Sequence, residues 1–135
     1  MKRTLFLTII TTALFIWIGC SSSNNPSNPL SSFSPEIIND TNAFQFQITD
    51  ASNVNTTVTY YWENTNSQAT VDHSTVTTQG SAVMTVSDAD TTQVYTSALL
   101  ASGNEPTTSG TAGTWIISIT FTNFSGTSNF RLETL

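Results

Sequence analysis

Apolar and polar residues alternate with a period of two along most of the chain after residue 36, which is the pattern of half-buried β-strands. In the clearest segment, 114–122, every second residue is large and apolar, so that Trp115, Ile117, Ile119 and Phe121 share one face. Further segments with this pattern lie at about 44–49, 58–63, 69–77, 81–87, 93–99 and 128–134. No window combines a 3.6-residue apolar repeat with helix caps, so the pattern predicts strands throughout.

Turn signals rich in Gly, Ser, Asn and Asp separate these segments, at 79–80, 87–90, 102–104, 109–110 and 125–126. About seven short strands joined by such turns predict an all-β fold, a single antiparallel β-sandwich of jelly-roll or immunoglobulin-like type. We place this domain at residues 36–135. The longest stretch without a strand pattern, at about 100–113, is predicted to be a mobile loop or a crossover between sheets.

The N-terminus carries a different pattern. Lys2 and Arg3 precede a run of 16 residues, 4–19, that is apolar with interspersed threonines. A membrane-spanning helix needs about 20 apolar residues, so this run fits the shorter core of a secretory signal. It ends in Trp17-Ile18-Gly19-Cys20, and Cys20 is the only cysteine of the chain.

This ending resembles the lipobox of bacterial lipoproteins, although Trp17 stands where that family prefers leucine. The resemblance implies a signal peptide over residues 1–19, cleavage before Cys20 and attachment of diacylglycerol to the Cys20 thiol. It also implies a location on the cell envelope outside the cytoplasm, and Ser21 favours the outer membrane or the cell surface. The alternative is an ordinary signal peptide with an incidental cysteine.

Residues 20–35 are rich in Ser, Asn and Pro, a composition that predicts a disordered, extended tether between the membrane and the domain. Removal of residues 1–19 would leave Arg131 as the single cation against nine acidic residues, a formal charge of −8. Nucleic-acid binding, which depends on cationic side chains at phosphates, is therefore excluded. With Cys20 the only cysteine, no disulfide framework is expected.

The second half of the chain resembles another family. The segments 110–119 and 123–132 (GTAGTWIISI and NFSGTSNFRL) and the acidic hairpin 86–95 (VSDADTTQVY) are similar to the closing strands of pre-peptidase C-terminal-type β-sandwiches. The resemblance spans about residues 80–135. In that family the domain is a non-catalytic accessory of secreted or surface proteins, which implies a structural or interaction role here.

Residues that would carry catalysis do not converge in the sequence. His73 is the only histidine, and in a strand its neighbours Asp72 and Ser74 point to the opposite face, so these three residues cannot form a catalytic triad. We predict an exposed or partly exposed strand histidine. No metal-binding cluster, no cofactor site and no enzymatic activity are predicted.

Acidic residues offer only one weak site. Asp88 and Asp90 lie two apart in a predicted turn, where carboxylates either ligate calcium or accept backbone hydrogen bonds. The glycine and distal glutamate of a calcium-binding loop are absent, so turn chemistry is the favoured interpretation.

Aromatic residues suggest a binding surface. Alternation places Tyr60 and Trp62 towards the core with Val58, and Tyr61 on the opposite face. Tyr61, with Tyr95, is predicted to form an exposed platform for sugar rings. Two functions follow as hypotheses: a membrane-anchored structural or interaction module with a protein partner, or a carbohydrate-binding module.

Overall fold

The computed structural model describes residues 28–135, so the predictions for the signal peptide and Cys20 lie outside the described residues. This part of the chain contains one short 3-10 helix, Ser31–Phe33, followed by six β-strands. The strands are β1 (Glu36–Asp40), β2 (Ala43–Asn64), β3 (Ala69–Ser87), β4 (Gln93–Ala98), β5 (Gly103–Pro106) and β6 (Gly113–Thr134). The all-β prediction is confirmed.

All pairings are antiparallel, and the strands form one sheet in the order β1-β2-β6-β3-β4, with β5 also paired to β3. β2, β3 and β6 have 22, 19 and 22 residues, several times the usual strand length of about 5–6. Each of the three contributes to both layers of a sandwich. The central strands are therefore continuous from one layer to the other.

We call the two halves of the sheet the first and second layers. The first layer contains β1, β5 and the segments 43–48, 69–77 and 126–134 of the long strands. The second layer contains β4 and the segments 56–64, 81–87 and 113–122. Phe44 and Phe46 of the first layer pack against Tyr60 of the second, with ring centroids 5.3 and 5.8 Å apart. The predicted β-sandwich is confirmed by this face-to-face packing.

The long strands bend where their pairing register shifts. β2 shifts between Ile48 and Thr56, and the β3–β6 ladder shifts around Gln79, as expected for β-bulges that sharply bend a strand. The segments 79–80 and 125–126, predicted as hairpin turns, are these bends. Six of the seven predicted short strands are consequently joined in three pairs, and the seventh, 93–99, is β4. β1 and β5 are additional strands that the sequence pattern did not indicate.

Polar side chains bind the backbone groups that the bends leave without ladder partners. The backbone N–H of Asn53 donates to Ser125 Oγ at 3.0 Å, and that of Asn123 donates to Asn55 Oδ1 at 2.8 Å. The Asp50 N–H donates to the Thr127 hydroxyl at 3.3 Å. The Ser, Thr and Asn content of these segments therefore supports the bends.

The core lies between the layers and contains most of the large apolar residues that alternation placed inside. Trp115, Ile117, Ile119 and Phe121 are all buried, as predicted. Trp62 and Trp115 meet edge to face with ring centroids 6.1 Å apart. Each indole N–H reaches a backbone carbonyl at 2.9 Å, that of Asp40 for Trp62 and that of Thr111 for Trp115, so both large rings are buried without an unpaired donor.

The folded part of the chain begins earlier than predicted. Leu30 is fully buried in the core, and its backbone N–H donates to Asn28 Oδ1 at 3.0 Å. Phe33 packs against the same core. The prediction of a disordered linker over residues 20–35 is therefore wrong for residues 28–35. The two apolar side chains within this polar tract account for the difference, because their burial anchors the segment.

Residues 28–135 include no helix with the length and apolar character needed to span a membrane.

Candidate binding surface

The outer surface of the second layer carries an ordered array of hydroxyl groups, which we call the hydroxyl face. Cross-strand pairing aligns its residues in rows, because directly paired residues point to the same side of a sheet. One row has a hydroxyl side chain on each of the four strands β2, β6, β3 and β4. The adjacent row has hydroxyl side chains on two of these strands, β2 and β6. The hydroxyl residues of these rows are Thr59, Ser118, Thr85 and Thr96, followed by Thr57 and Thr120.

Hydrogen bonds between neighbouring strands order part of this face. The hydroxyls of Thr57 and Thr120 lie 3.0 Å apart, and those of Thr59 and Ser118 lie 3.2 Å apart. Cross-strand Thr–Thr and Thr–Ser pairs of this kind stabilise sheets by about 0.2–1 kcal/mol each. These two contacts therefore order the β2–β6 part of the face.

Tyr61 stands at one end of the hydroxyl face. Its side chain is 62 % exposed, as predicted, and it is paired with Ile116 on β6. The two rows of hydroxyls and the Tyr61 row contain no charged residue; the nearest acid, Glu63, lies one row further out and accepts a hydrogen bond from Thr114 at 3.0 Å. An aromatic ring, an aliphatic neighbour and neutral hydroxyls thus form a continuous uncharged surface.

The outer surface of the first layer has the opposite character. Gln47 and Asn129 are joined there by a hydrogen bond of 2.9 Å, and Arg131 forms an ion pair of 2.6 Å with Glu133. Asp72 lies directly opposite Arg131 on β3. This surface is amide-rich and charged, and no aromatic residue takes part in these contacts.

Tyr95 does not join Tyr61 in a platform. It pairs with Val86 and turns towards the core, where it is partly buried, so the prediction of an exposed Tyr95 is wrong. Burial raises the pKa of its phenol, a hydrogen bond with Ser97 lowers the pKa, and the negative charge of Glu105 raises it, with a net increase. The two tyrosines lie on opposite faces of the second layer, with β6 and β3 between their strands.

His73 is buried, which corrects the prediction of an exposed or partly exposed histidine. Its Nδ1 lies 3.0 Å from the Ala101 carbonyl oxygen, and its Nε2 lies 3.4 Å from Ser97 Oγ. Because Ser97 belongs to β4 and Ala101 to the segment leading into β5, the ring connects the edges of the two layers. Asp72 and Ser74 are exposed on the other face, so the three neighbours form no triad.

Asp88 and Asp90 form the turn between β3 and β4. Asp88 Oδ1 accepts the N–H groups of Asp90 and Thr92 at 3.1 and 2.8 Å, and Asp88 Oδ2 accepts that of Thr111 at 2.8 Å. Asp90 Oδ2 accepts the hydroxyl of Thr111 at 2.6 Å. These are the hydrogen bonds to backbone N–H groups that the favoured interpretation, turn chemistry, predicted. Within residues 28–135, no three His, Cys, Asp or Glu side chains are grouped closely enough to hold a metal ion.

The hydroxyl face is the one element of this surface that sequence reasoning missed. The period-2 positions of Thr57, Thr59, Ser118 and Thr120 were visible, but which strands stand side by side was not. Only the register of β2, β6, β3 and β4 shows that these residues lie in common rows.

Comparison with known proteins shows similarity to solved structures alone. No protein-family model matches the chain, and no curated protein matches it. Among solved structures, the chain is similar to the carbohydrate-binding module TmCBM61 in complex with beta-1,4-galactotriose, with a TM-score of 0.37 and 13% sequence identity. The match covers 73% of this chain and 64% of the length of that chain.

Proposed function

We propose that this protein is a non-catalytic, membrane-anchored binding module that holds an uncharged glycan on its hydroxyl face. The observation that carries the proposal is the exposed Tyr61 ring beside Ile116, at the end of an array of neutral hydroxyls on a strongly acidic domain. Aromatic rings pack against the C–H faces of sugars, while side-chain hydroxyls exchange hydrogen bonds with sugar hydroxyls.

Charge supports an uncharged ligand. The chain from residue 20 onward has nine acidic residues and one cation, a formal charge of −8, so a polyanionic ligand would be repelled at long range. A cationic ligand would be drawn to the carboxylates, none of which lies in the rows of the hydroxyl face. A neutral glycan matches the face without either conflict.

Anchoring rests on the lipobox resemblance at Cys20. Diacylglycerol supplies two acyl chains, which is what stable anchoring takes. The test is metabolic labelling with palmitate in the native host, which should label the wild type and not the Cys20→Ser variant. Label that survives this substitution would remove the anchor from the proposal and leave the binding role to be judged separately.

The binding role is tested on a panel of neutral polysaccharides. Tyr61→Ala should lower affinity at least tenfold, in line with about 1–3 kcal/mol for a stacked aromatic ring, whereas Tyr61→Phe should retain most of it. Because Tyr61 is exposed, neither variant should change the melting temperature by more than about 2–4 °C. Tyr95→Phe serves as the control at the inward-facing tyrosine. Absence of binding to every glycan of the panel would refute the glycan role.

The edge of the first layer favours a second candidate, interaction with a protein. β1 is an edge strand paired only with β2, and Ile37 and Ile38 are 39% and 56% exposed on its two faces. An extended segment of a partner could add to this edge by backbone hydrogen bonding. Ile38→Lys should abolish such pairing while glycan binding stays unchanged, and Tyr61→Ala should do the reverse. A pull-down from envelope extracts with these two variants therefore separates the two roles.

A further inference from the structure

We infer that the ligand is an extended β-linked chain of neutral pyranoses, and that it lies across the strands along the row Thr59–Ser118–Thr85–Thr96. This inference rests on the proposed glycan-binding function and adds the class and the direction of the chain. It follows from the register of four strands.

The row is continuous across the whole second layer. Thr59 pairs with Ser118, Ser118 with Thr85, and Thr85 with Thr96. Adjacent strands lie about 4.8 Å apart, so the four hydroxyls repeat at a nearly even interval over roughly 14 Å. Along a strand, by contrast, residues on the same face are about 6.7 Å apart. The interval across the strands is comparable to the length of one sugar residue in an extended chain.

Apolar residues border the row on both sides. Tyr61 and Ile116 lie in the neighbouring row at the β2–β6 end, and Val83 and Ala98 lie in the opposite neighbouring row at the β3–β4 end. An extended chain of equatorially linked pyranoses offers hydroxyls along its edges and C–H groups on its ring faces. A polar row between apolar borders matches that distribution, whereas a coiled α-linked chain would leave the row after a short distance.

The hydroxyls of the row retain capacity for a ligand. Each has one donor and two acceptor positions. The Thr59–Ser118 contact occupies one donor of that pair, and the Thr96 hydroxyl donates to the Met84 carbonyl at 3.3 Å, which leaves its acceptor positions. Thr59 and Thr96 are exposed, and Ser118 and Thr85 are half-buried between them. A chain that crosses the row would therefore meet a hydroxyl on every strand.

The test is calorimetric titration with cello-oligosaccharides from the disaccharide to the hexasaccharide, and with malto-oligosaccharides of the same lengths. Affinity for the β-linked series should rise about tenfold up to the tetrasaccharide and then level off, because the row ends at β4. Thr85→Val keeps the branched shape and removes the hydroxyl, and should lower tetrasaccharide affinity about five- to tenfold. Thr70→Val makes the same change on the outer surface of the first layer, where Thr70 pairs with Glu133, and should have little effect.

The outcomes separate this inference from the function on which it rests. Equal affinity for all lengths, equal affinity for the α-linked series, or equal losses in Thr70→Val and Thr85→Val would overturn the inference. If Tyr61→Ala still removed binding in those cases, the glycan-binding function would stand. Binding to a neutral glycan that is not a β-linked pyranose chain, without binding to any β-linked chain, would likewise overturn the inference alone. Circular dichroism of both Val variants confirms that they fold.

Discussion

Asp88 is an ionised side chain in an almost fully buried position, and its backbone partners explain how the fold tolerates it. The hydrogen bond from the Thr111 N–H is the largest influence that lowers the pKa of its carboxyl group; burial opposes this, and the N–H groups of Thr92 and Asp90 lower the pKa further. The folded state therefore favours the carboxylate over the acid. One side chain thereby holds the β3–β4 turn against the segment that leads into β6.

This lowered pKa predicts a loss of stability in acid. A carboxyl group whose pKa is lower in the folded state stabilises the fold fully above its unfolded value of about 3.9, and the contribution is lost as the pH falls through the folded pKa. Asp88→Asn replaces one accepting oxygen by an amide donor. Urea unfolding should therefore show the variant to be less stable than the wild type at pH 7, and the difference should shrink below about pH 4.

Asp90→Asn is the matched control, because Asp90 accepts only a side-chain hydroxyl in this turn. It should lower stability at pH 7 by less than Asp88→Asn does, because it removes no acceptor of a backbone N–H group. An Asp88→Asn variant with the same loss at pH 7 and at acidic pH would show that the carboxylate is not the source of the acid sensitivity.

Sequence patterns predicted some of these residues and not others, for physical reasons. Tyr61 is exposed as its alternation with Tyr60 and Trp62 indicated. The pattern also indicated that His73 is buried, because His73 shares a face with the buried residues Val71 and Thr75. We predicted exposure because histidine is polar. Tyr95 was not predictable from alternation, since its neighbour Val94 is buried as well, under the segment whose Thr108 N–H bonds the Val94 carbonyl.

At the scale of elements, the sequences at the bends of the long strands have the same composition as turns, so the bends were predicted as turns. Gly80 and Gly126 have φ values of +72° and +145°, which glycine adopts at bulges as well as in turns. The distinction depends on which strand pairs on each side of the glycine. That information is non-local, so the strand segments were predicted correctly and their connections were not.

Gly126 provides the prediction at this scale. A Cβ at this position would clash with the Val76 carbonyl oxygen on the neighbouring strand, and the positive φ of Gly126 is unfavourable for any other residue. Gly126→Ala should therefore destabilise the domain by at least about 1–3 kcal/mol, the usual cost of a strained backbone position. Thermal or urea unfolding measures this change.

Thr122→Ala, an exposed substitution on the same strand, is the control and should change stability by less than about 0.5 kcal/mol. A Gly126→Ala variant as stable as this control would contradict the prediction. It would show that the bend in β6 relaxes to accommodate a side chain beside Val76.

At the scale of the whole molecule, the two layers share β2, β3 and β6 and so are not independent units. Phe44 and Tyr60 lie on the same strand, yet they pack against each other across the core. Loss of one layer would expose the apolar face of the other and leave the ends of three strands unpaired. The sandwich should consequently unfold as one unit.

This prediction can be measured on a chain without residues 1–19, in which Trp62 and Trp115 are the only tryptophans. Both lie in the second layer, whereas far-ultraviolet circular dichroism reports the strands of both layers. The two signals should give the same midpoint in urea. A dichroism transition that begins before the fluorescence change would show that the first layer unfolds on its own.

The bends also determine how this protein tolerates changes in chain length. In β6 the inward residues are odd-numbered up to Phe121 and even-numbered from Phe124 to Leu132, and in β3 they change in the same way between Thr75 and Ala82. If the bend keeps its geometry, deletion of one residue there shifts the rest of the strand by one position in its ladder and turns Phe130 and Leu132 towards solvent. Small insertions and deletions, which loops usually accept, should therefore be strongly selected against at positions that look like loops in the sequence.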